Sequence, residues 1–234
     1  APFSDAAAFT GSLPFATYAG KHDAAARFFA KESADLVFVQ EARFLDEHPQ
    51  IAKDFLPAIS GSDEFTCVLV RRDTFSDVHN VSAEVCAALT DTIARRFPDL
   101  SAELAKAWMT TARRTAAVRL TYRKAIIYAV SLHCSKSEGT ADLLETLRDV
   151  LAEVVGNASI IIGVDSNVPG EEVTEFQEKL REMGMDFGDS PSAQQVTVAK
   201  TRTAFQTQVK KAGETDVSHK DYVLWLNYFS TTSF

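Results

Sequence analysis

The sequence predicts an α/β fold of one large domain, on three observations. Short apolar runs such as Leu36-Val37-Phe38-Val39 and Ser159 to Val164 are continuous rather than alternating, as strands covered on both faces require. Between them lie amphipathic stretches, the clearest carrying Leu143, Leu147, Val150, Leu151 and Val154 as one stripe at helical periodicity. Polar side chains then follow the apolar runs: Glu41 after Val39, His133 after Leu132 and Asp165 after Val164. In α/β sheets, ligands bind where strands end and loops begin, so groups delivered there can converge.

Taken in order, Leu13 to Tyr18 reads as a short strand and Gly20 to Lys31 as a helix turning Ala25, Phe28 and Phe29 inward. Asp35 to Gln40 is a buried strand, and Phe65 to Arg71 a second one between the polar clusters Gly61-Ser62-Asp63 and Arg71-Arg72-Asp73. Ser82 to Thr111 is read as a helical insertion. Val85, Leu89 and Ile93 recur at four-residue steps, Pro98 interrupts, and Ser101 can cap a second helix bearing Leu104 and Trp108.

Ala116 to Thr121 and Ala125 to Leu132 form a strand pair across Tyr122-Arg123-Lys124, a turn without typical turn residues. The striped helix and the strand Ser159 to Val164 follow. Glu171 to Met183 makes a further helix, with Val173, Phe176, Leu180 and Met183 on one side and Gly184 as its stop. Asp221 to Leu226 is the last strand.

At 234 residues and 46% hydrophobic, the chain can bury a sizeable core. No apolar run approaches the roughly 18 residues of a membrane-spanning helix. A net charge of −8 argues against a surface that coats nucleic acid, because affinity for phosphate backbones comes mainly from clustered Lys and Arg. Local basic segments do occur, at Arg113, Arg114, Arg119, Arg123 and Lys124, and at Lys200, Arg202, Lys210 and Lys211; solvated faces explain both. Three cysteines, Cys67, Cys86 and Cys134, show neither disulfide nor zinc spacing, which favours a reducing intracellular compartment. The chain opens without methionine, which is compatible with a removed presequence.

Each polar strand-end group has a bland explanation by itself. Glu41 fits a loop carboxylate, His133 a half-buried ring, and Asp165 with Asn167 a turn held by local hydrogen bonds. Order and spacing set them apart. Val37-Phe38-Val39-Gln40-Glu41, the strand Thr66 to Asp73, Arg114 to Arg119, Ser131-Leu132-His133, Ile161 to Asn167 and His219 to Leu224 resemble, in sequence order, the motifs of the endonuclease/exonuclease/phosphatase superfamily. The segment Gly163-Val164-Asp165-Ser166-Asn167 is similar to that family's Gly-Asp-Phe-Asn turn. The matches span most of the chain from Pro14 to Trp225.

The resemblance implies a DNase I-like, four-layer α/β sandwich of two mixed β-sheets flanked by helices. It implies that Glu41 is a ligand of a catalytic Mg²⁺ or Mn²⁺, ions that accept oxygen donors and keep several waters. Asp165 would orient or activate the attacking water, and Asn167 would hydrogen-bond that water or the phosphate. His133 would contact the scissile phosphate or assist proton transfer, and Asp221 would hold a catalytic imidazole in the right tautomer. The substrate would be a phosphate ester, in nucleic acid or in a small molecule.

Two positions depart from the pattern. The first strand of that superfamily ends in a metal-binding Asn, whereas Thr17-Tyr18 is followed here by Ala19, whose methyl coordinates nothing. The terminal Ser-Asp-His segment has no counterpart between Leu226 and Phe234, and His219 stands too near Asp221 on the same strand to replace it. Beside the phosphoesterase therefore stands a second reading, a catalytically impaired domain kept as a scaffold or subunit with protein partners.

Overall fold

Burial divides the strands of the chain into two faces, and the two faces define its layers. The computed structural model describes residues 23, 25–29, 34–40, 48–59, 66–155, 158–187, 198–201, 215–218 and 221–226. Three strands, β1 (Leu36–Gln40), β2 (Phe55–Ile59) and β3 (Thr66–Arg71), form an antiparallel sheet in the order β1-β3-β2. Among the described residues β2 pairs only with β3, so the missing N–H of Pro57 falls on an edge strand.

Among the described residues the second sheet holds six strands: β4 (Ser76–Asn80), β5 (Ala116–Tyr122), β6 (Ala125–His133), β7 (Ser159–Asp165), β8 (Asp186–Phe187) and β11 (Asp221–Leu226). Their order is β4-β5-β6-β7-β11-β8. Among the described residues only β6 and β7 run parallel, and the helix Thr140–Val155 crosses over between them. A separate ladder pairs β9 (Val198–Thr201) with β10 (Thr215–Ser218).

Helices cover the outer faces. Short α1 (Pro49–Asp54), capped by His48, lies with residues 25–29 against the outer side of the three-stranded sheet, around Ile51, Phe55, Cys67 and Leu69. Ala58, Val68 and Val70 meet Ala116, Val118, Leu120 and Ala129 between the two sheets. Helices α2 (Ser82–Arg96), α3 (Ala102–Arg113), α4 (Thr140–Val155) and α5 (Val173–Glu182) cover the other face of the six-stranded sheet. Period-two alternation explains this division: Ala117, Val130, Leu132, Ile160, Ile162 and Val164 point to the helices, while Ala116, Val118 and Ala129 point to the other sheet. The two sheets flanked by helices are the predicted architecture.

The stretch Ser82 to Thr111 is helical as expected, forming α2 and most of α3, with Ser101 accepting a hydrogen bond from Leu104 N at 3.2 Å as the cap of α3. Arg96 Nη1 reaches Asp149 Oδ2 at 2.6 Å and ties the end of α2 to α4. The turn between β5 and β6 is a two-residue connection with both Arg123 and Lys124 at positive φ, 47° and 78°. That backbone belongs to the type I′ family, which Asn-Gly normally signals; here strand pairing imposes it on two long cations. Strands β2 and β4 and helix α1 were not legible in the sequence: β4 is largely exposed and β2 carries a proline. The predicted strand Leu13 to Tyr18, half of the predicted helix Gly20 to Lys31, and Ala19 lie outside the described residues.

Candidate active site

Strand register brings three of the predicted site positions into one row. His133 is paired with Asp165 across the parallel β6–β7 ladder, and Asp165 is paired with Asp221 across the antiparallel β7–β11 ladder. The row lies where β6 and β7 end and β11 begins, the edge at which sheet-borne ligands gather. His133 Nε2 stands 3.8 Å from Asp165 Oδ2, too long for a hydrogen bond and close enough for charge to be felt. The Asp165 side chain is 22% exposed and that of His133 10%, so the acid reaches solvent while the ring is largely covered.

The turn after β7 is held by a short cycle of bonds. Asn167 N donates to Asp165 Oδ1 at 3.1 Å, an Asx-type closure that steadies Asn167 at φ 53°. Asn167 Nδ2 donates to Cys134 O at 2.6 Å, and Cys134 N donates to Asp165 O at 2.9 Å. Buried Ser166 accepts from Val168 N through its hydroxyl and from the Thr140 hydroxyl through its carbonyl, both at 3.3 Å. The local-bonding explanation of Asp165 and Asn167 therefore holds, and it does not compete with chemistry. Asp165 spends Oδ1 on the turn and presents Oδ2 to His133.

Gln40 has a role that its sequence position did not reveal. Its Nε2 crosses between the sheets to donate to Ser131 Oγ at 3.0 Å and to Gly163 O at 3.3 Å, and Ser131 Oγ donates back to Val39 O at 3.3 Å. The end of β1 is thereby locked beside β6 and β7, two residues short of His133 and Asp165 in each strand. Ser131 escaped the sequence reading, yet a fully buried serine two positions before a candidate histidine shares its face of the strand. Glu41, the predicted metal ligand, and His219 lie outside the described residues.

Among the described residues no group of three or more His, Cys, Asp or Glu side chains could hold a metal ion. The three cysteines are free thiols. Burial, with the nearby charge of Asp165 adding and a Thr140 contact opposing, pushes the Cys134 thiol up to about 12. An unfolded thiol titrates near 8.5, so above that pH the unfolded chain loses its proton first and gains stability. The contribution is complete below pH ~8.5 and is lost as pH rises toward 12. Cys134→Ala should therefore narrow the fall in urea midpoint between about pH 8 and pH 10.5, a difference worth about 2–3 kcal/mol. Identical falls in both proteins would refute the buried-thiol assignment.

No family model and no curated protein matches the chain. Among solved structures it is similar to TDP2 from D. rerio in complex with a single-strand DNA product, with TM-score 0.57 and 13% identity over 91% of this chain and 78% of that one. It is similar to the endonuclease domain of TRAS1, a telomere-specific non-LTR retrotransposon, with TM-score 0.54 and 14% identity over 85% and 76% of the two chains. An endonuclease/exonuclease/phosphatase from Bacteroides vulgatus gives TM-score 0.53 and 16% identity over 87% and 77%. At such identities the likeness is one of fold.

Proposed function

From the DNase I-like fold of the endonuclease/exonuclease/phosphatase proteins as premise, we propose that this chain is a metal-dependent phosphoesterase acting on a phosphodiester or phosphomonoester. The observation that carries the proposal is the row His133–Asp165–Asp221 across β6, β7 and β11. The ends of β6 and β7 bring the His133 ring and the Asp165 carboxylate together, and Asp221 at the start of β11 stands in register beside Asp165, which core packing alone does not require.

In this reading Asp165 accepts a proton from the attacking water through the oxygen not used by the turn. His133, beside it, contacts the scissile phosphate or returns a proton to the leaving oxygen. Asn167 spends one amide hydrogen on Cys134 and offers its second amide hydrogen and Oδ1 to water or phosphate. Asp221 would be the acid that orients a catalytic imidazole, a ring that His219 stands too near to supply. Glu41 would hold a Mg²⁺ or Mn²⁺ ion, which prefers oxygen donors and keeps several waters, so that one or two carboxylates are enough. A bound divalent ion would supply Lewis-acid polarisation of the phosphoryl oxygens.

The net charge of −8 fits a small phosphate ester, or nucleic acid drawn in by a local groove, better than a nuclease coating long duplexes. The structural relatives named above include a DNA-product complex and a retrotransposon endonuclease, which keeps nucleic acid within the substrate class. The test is turnover of a generic phosphodiester, single-stranded DNA and RNA with Mg²⁺ or Mn²⁺. Turnover should vanish in chelator and fall about 10²-fold or more in Glu41→Gln. Chelator-resistant hydrolysis would refute the metal.

Ala19 favours a second reading, a domain with this fold that serves as a scaffold or subunit. A folded protein without turnover on any of these substrates would support it.

A further inference from the structure

The insertion between β4 and β5 would be explained by ordinary packing if it presented only apolar groups to the sheet. Helix α3 does more: it grips the loop that runs from His133 to α4. Thr111, 1% exposed, accepts from Ser135 N at 3.0 Å and exchanges a second bond with Ser135 Oγ at 3.2 Å. One turn earlier on the same side, Trp108 donates Nε1–H to Glu138 O at 3.4 Å. Its ring lies so close to Gly139 that a Cβ there would meet Cζ2 at 2.6 Å, at a φ of 68° that also demands glycine. Glu103 pairs with Lys136. A buried hydroxyl costs free energy unless it is bonded, so Thr111 serves the loop rather than the core.

The chain of contacts continues into the candidate site. Ser135 follows Cys134, whose carbonyl holds the Asn167 amide at 2.6 Å and whose N–H holds Asp165 O. Thr140, at the other end of the loop, bonds Lys136 O and Ser166 O. Every residue of the Asp165–Asn167 turn is thus fastened to a segment that α3 fastens in turn.

We propose that the α2–α3 insertion is a positioning device for this site, with Thr111 as the positioning residue that acts through Ser135 and Cys134 on Asn167. Its catalytic consequence rests on the phosphoesterase reading, while its structural consequence does not.

The test compares full-length Thr111→Val, Thr111→Ser and Thr110→Val, the last removing a hydroxyl that bonds only its own helix at Lys106 O. With bis(p-nitrophenyl) phosphate and Mg²⁺ or Mn²⁺ as the probe, Thr111→Val should lower kcat about tenfold or more, as both of its neutral hydrogen bonds to Ser135 are lost, with KM unchanged. Thr111→Ser should restore kcat, and Thr110→Val should leave it unaltered. Independently of activity, the Asn167 side-chain amide protons should shift upfield in Thr111→Val and in neither other variant, as their bond to Cys134 loosens.

If Thr111→Val does not fold, Trp108→Phe takes its place; it keeps an aromatic ring near Gly139, loses the bond to Glu138, and should move the same Asn167 signals. Unchanged Asn167 signals in the folded variant overturn the proposal, as does a Thr111→Ser protein that behaves like Thr111→Val. Should the unaltered protein show no turnover, the phosphoesterase reading falls and the Asn167 signals alone decide the positioning role.

Discussion

Asp165→Asn is expected to reduce metal-supported phosphodiester turnover about 10³-fold while leaving the fold intact. The separation of the two effects follows from how the carboxylate is used. Its Oδ1 accepts from Asn167 N, and an asparagine amide oxygen in the same place can accept that bond. Its Oδ2 faces His133 and carries the basicity that the proposed proton transfer needs. An amide nitrogen at that position would be a donor without basicity. Kinetics in chelator-treated and metal-reconstituted protein, with circular dichroism as the control, reads both sides. Full activity in a folded Asp165→Asn protein would remove Asp165 from the mechanism; loss of the fold would assign it to structure instead.

Gly163→Ala is expected to cost about 3 kcal/mol of stability. Gly163 needs no special backbone angle, since only Gly139 and Gly184 among the described glycines have positive φ. It needs space. A Cβ built on it would overlap the Cβ and Cγ of Phe38, atoms near the backbone that cannot swing aside. The two sheets would have to part at the place where Gln40 bonds Ser131 and the Gly163 carbonyl. In a chain of this size, about 3 kcal/mol corresponds to a fall in Tm of roughly 6–12 °C. Calorimetry or thermal circular dichroism measures it directly. A shift below about 2 °C would mean that the sheets approach less closely than Phe38 and Gly163 indicate.

These two residues also mark what a local sequence pattern carries and what it does not. Asp165 was legible because a continuous apolar strand ended in a carboxylate and an amide two residues apart, a pattern with local chemical meaning. Gly163 stood in the same segment, and its periodicity explained only that it lay in a strand. Its role depends on Phe38, more than 120 residues earlier, and no local pattern encodes that proximity. Ser131 and Thr111 escaped for the same reason. Each is a small hydroxyl in an apolar stretch, and its partner, Gln40 or Ser135, is remote in sequence or on another element.

The turn at Arg123 and Lys124 shows the converse. Two cations carry no turn preference, yet the register of β5 against β6 leaves just two residues to reverse the chain, and both adopt positive φ. Pairing outweighed local preference there because a ladder of seven residue pairs depends on the reversal.

By itself, then, the sequence determined most of the buried strands and amphipathic helices, the helical character of the stretch that begins at Ser82, and the positions of His133, Asp165 and Asp221 at the ends of strands. Those properties reside in periodicity and composition, which hydrophobic burial reads over short distances. The tertiary structure alone decided that the three positions stand in one row, that Gln40 and Ser131 lock the sheets beneath them, and that α3 holds the loop after His133. These are matters of register and of contact between distant segments, and such contacts form only when the two sheets and their helices pack together.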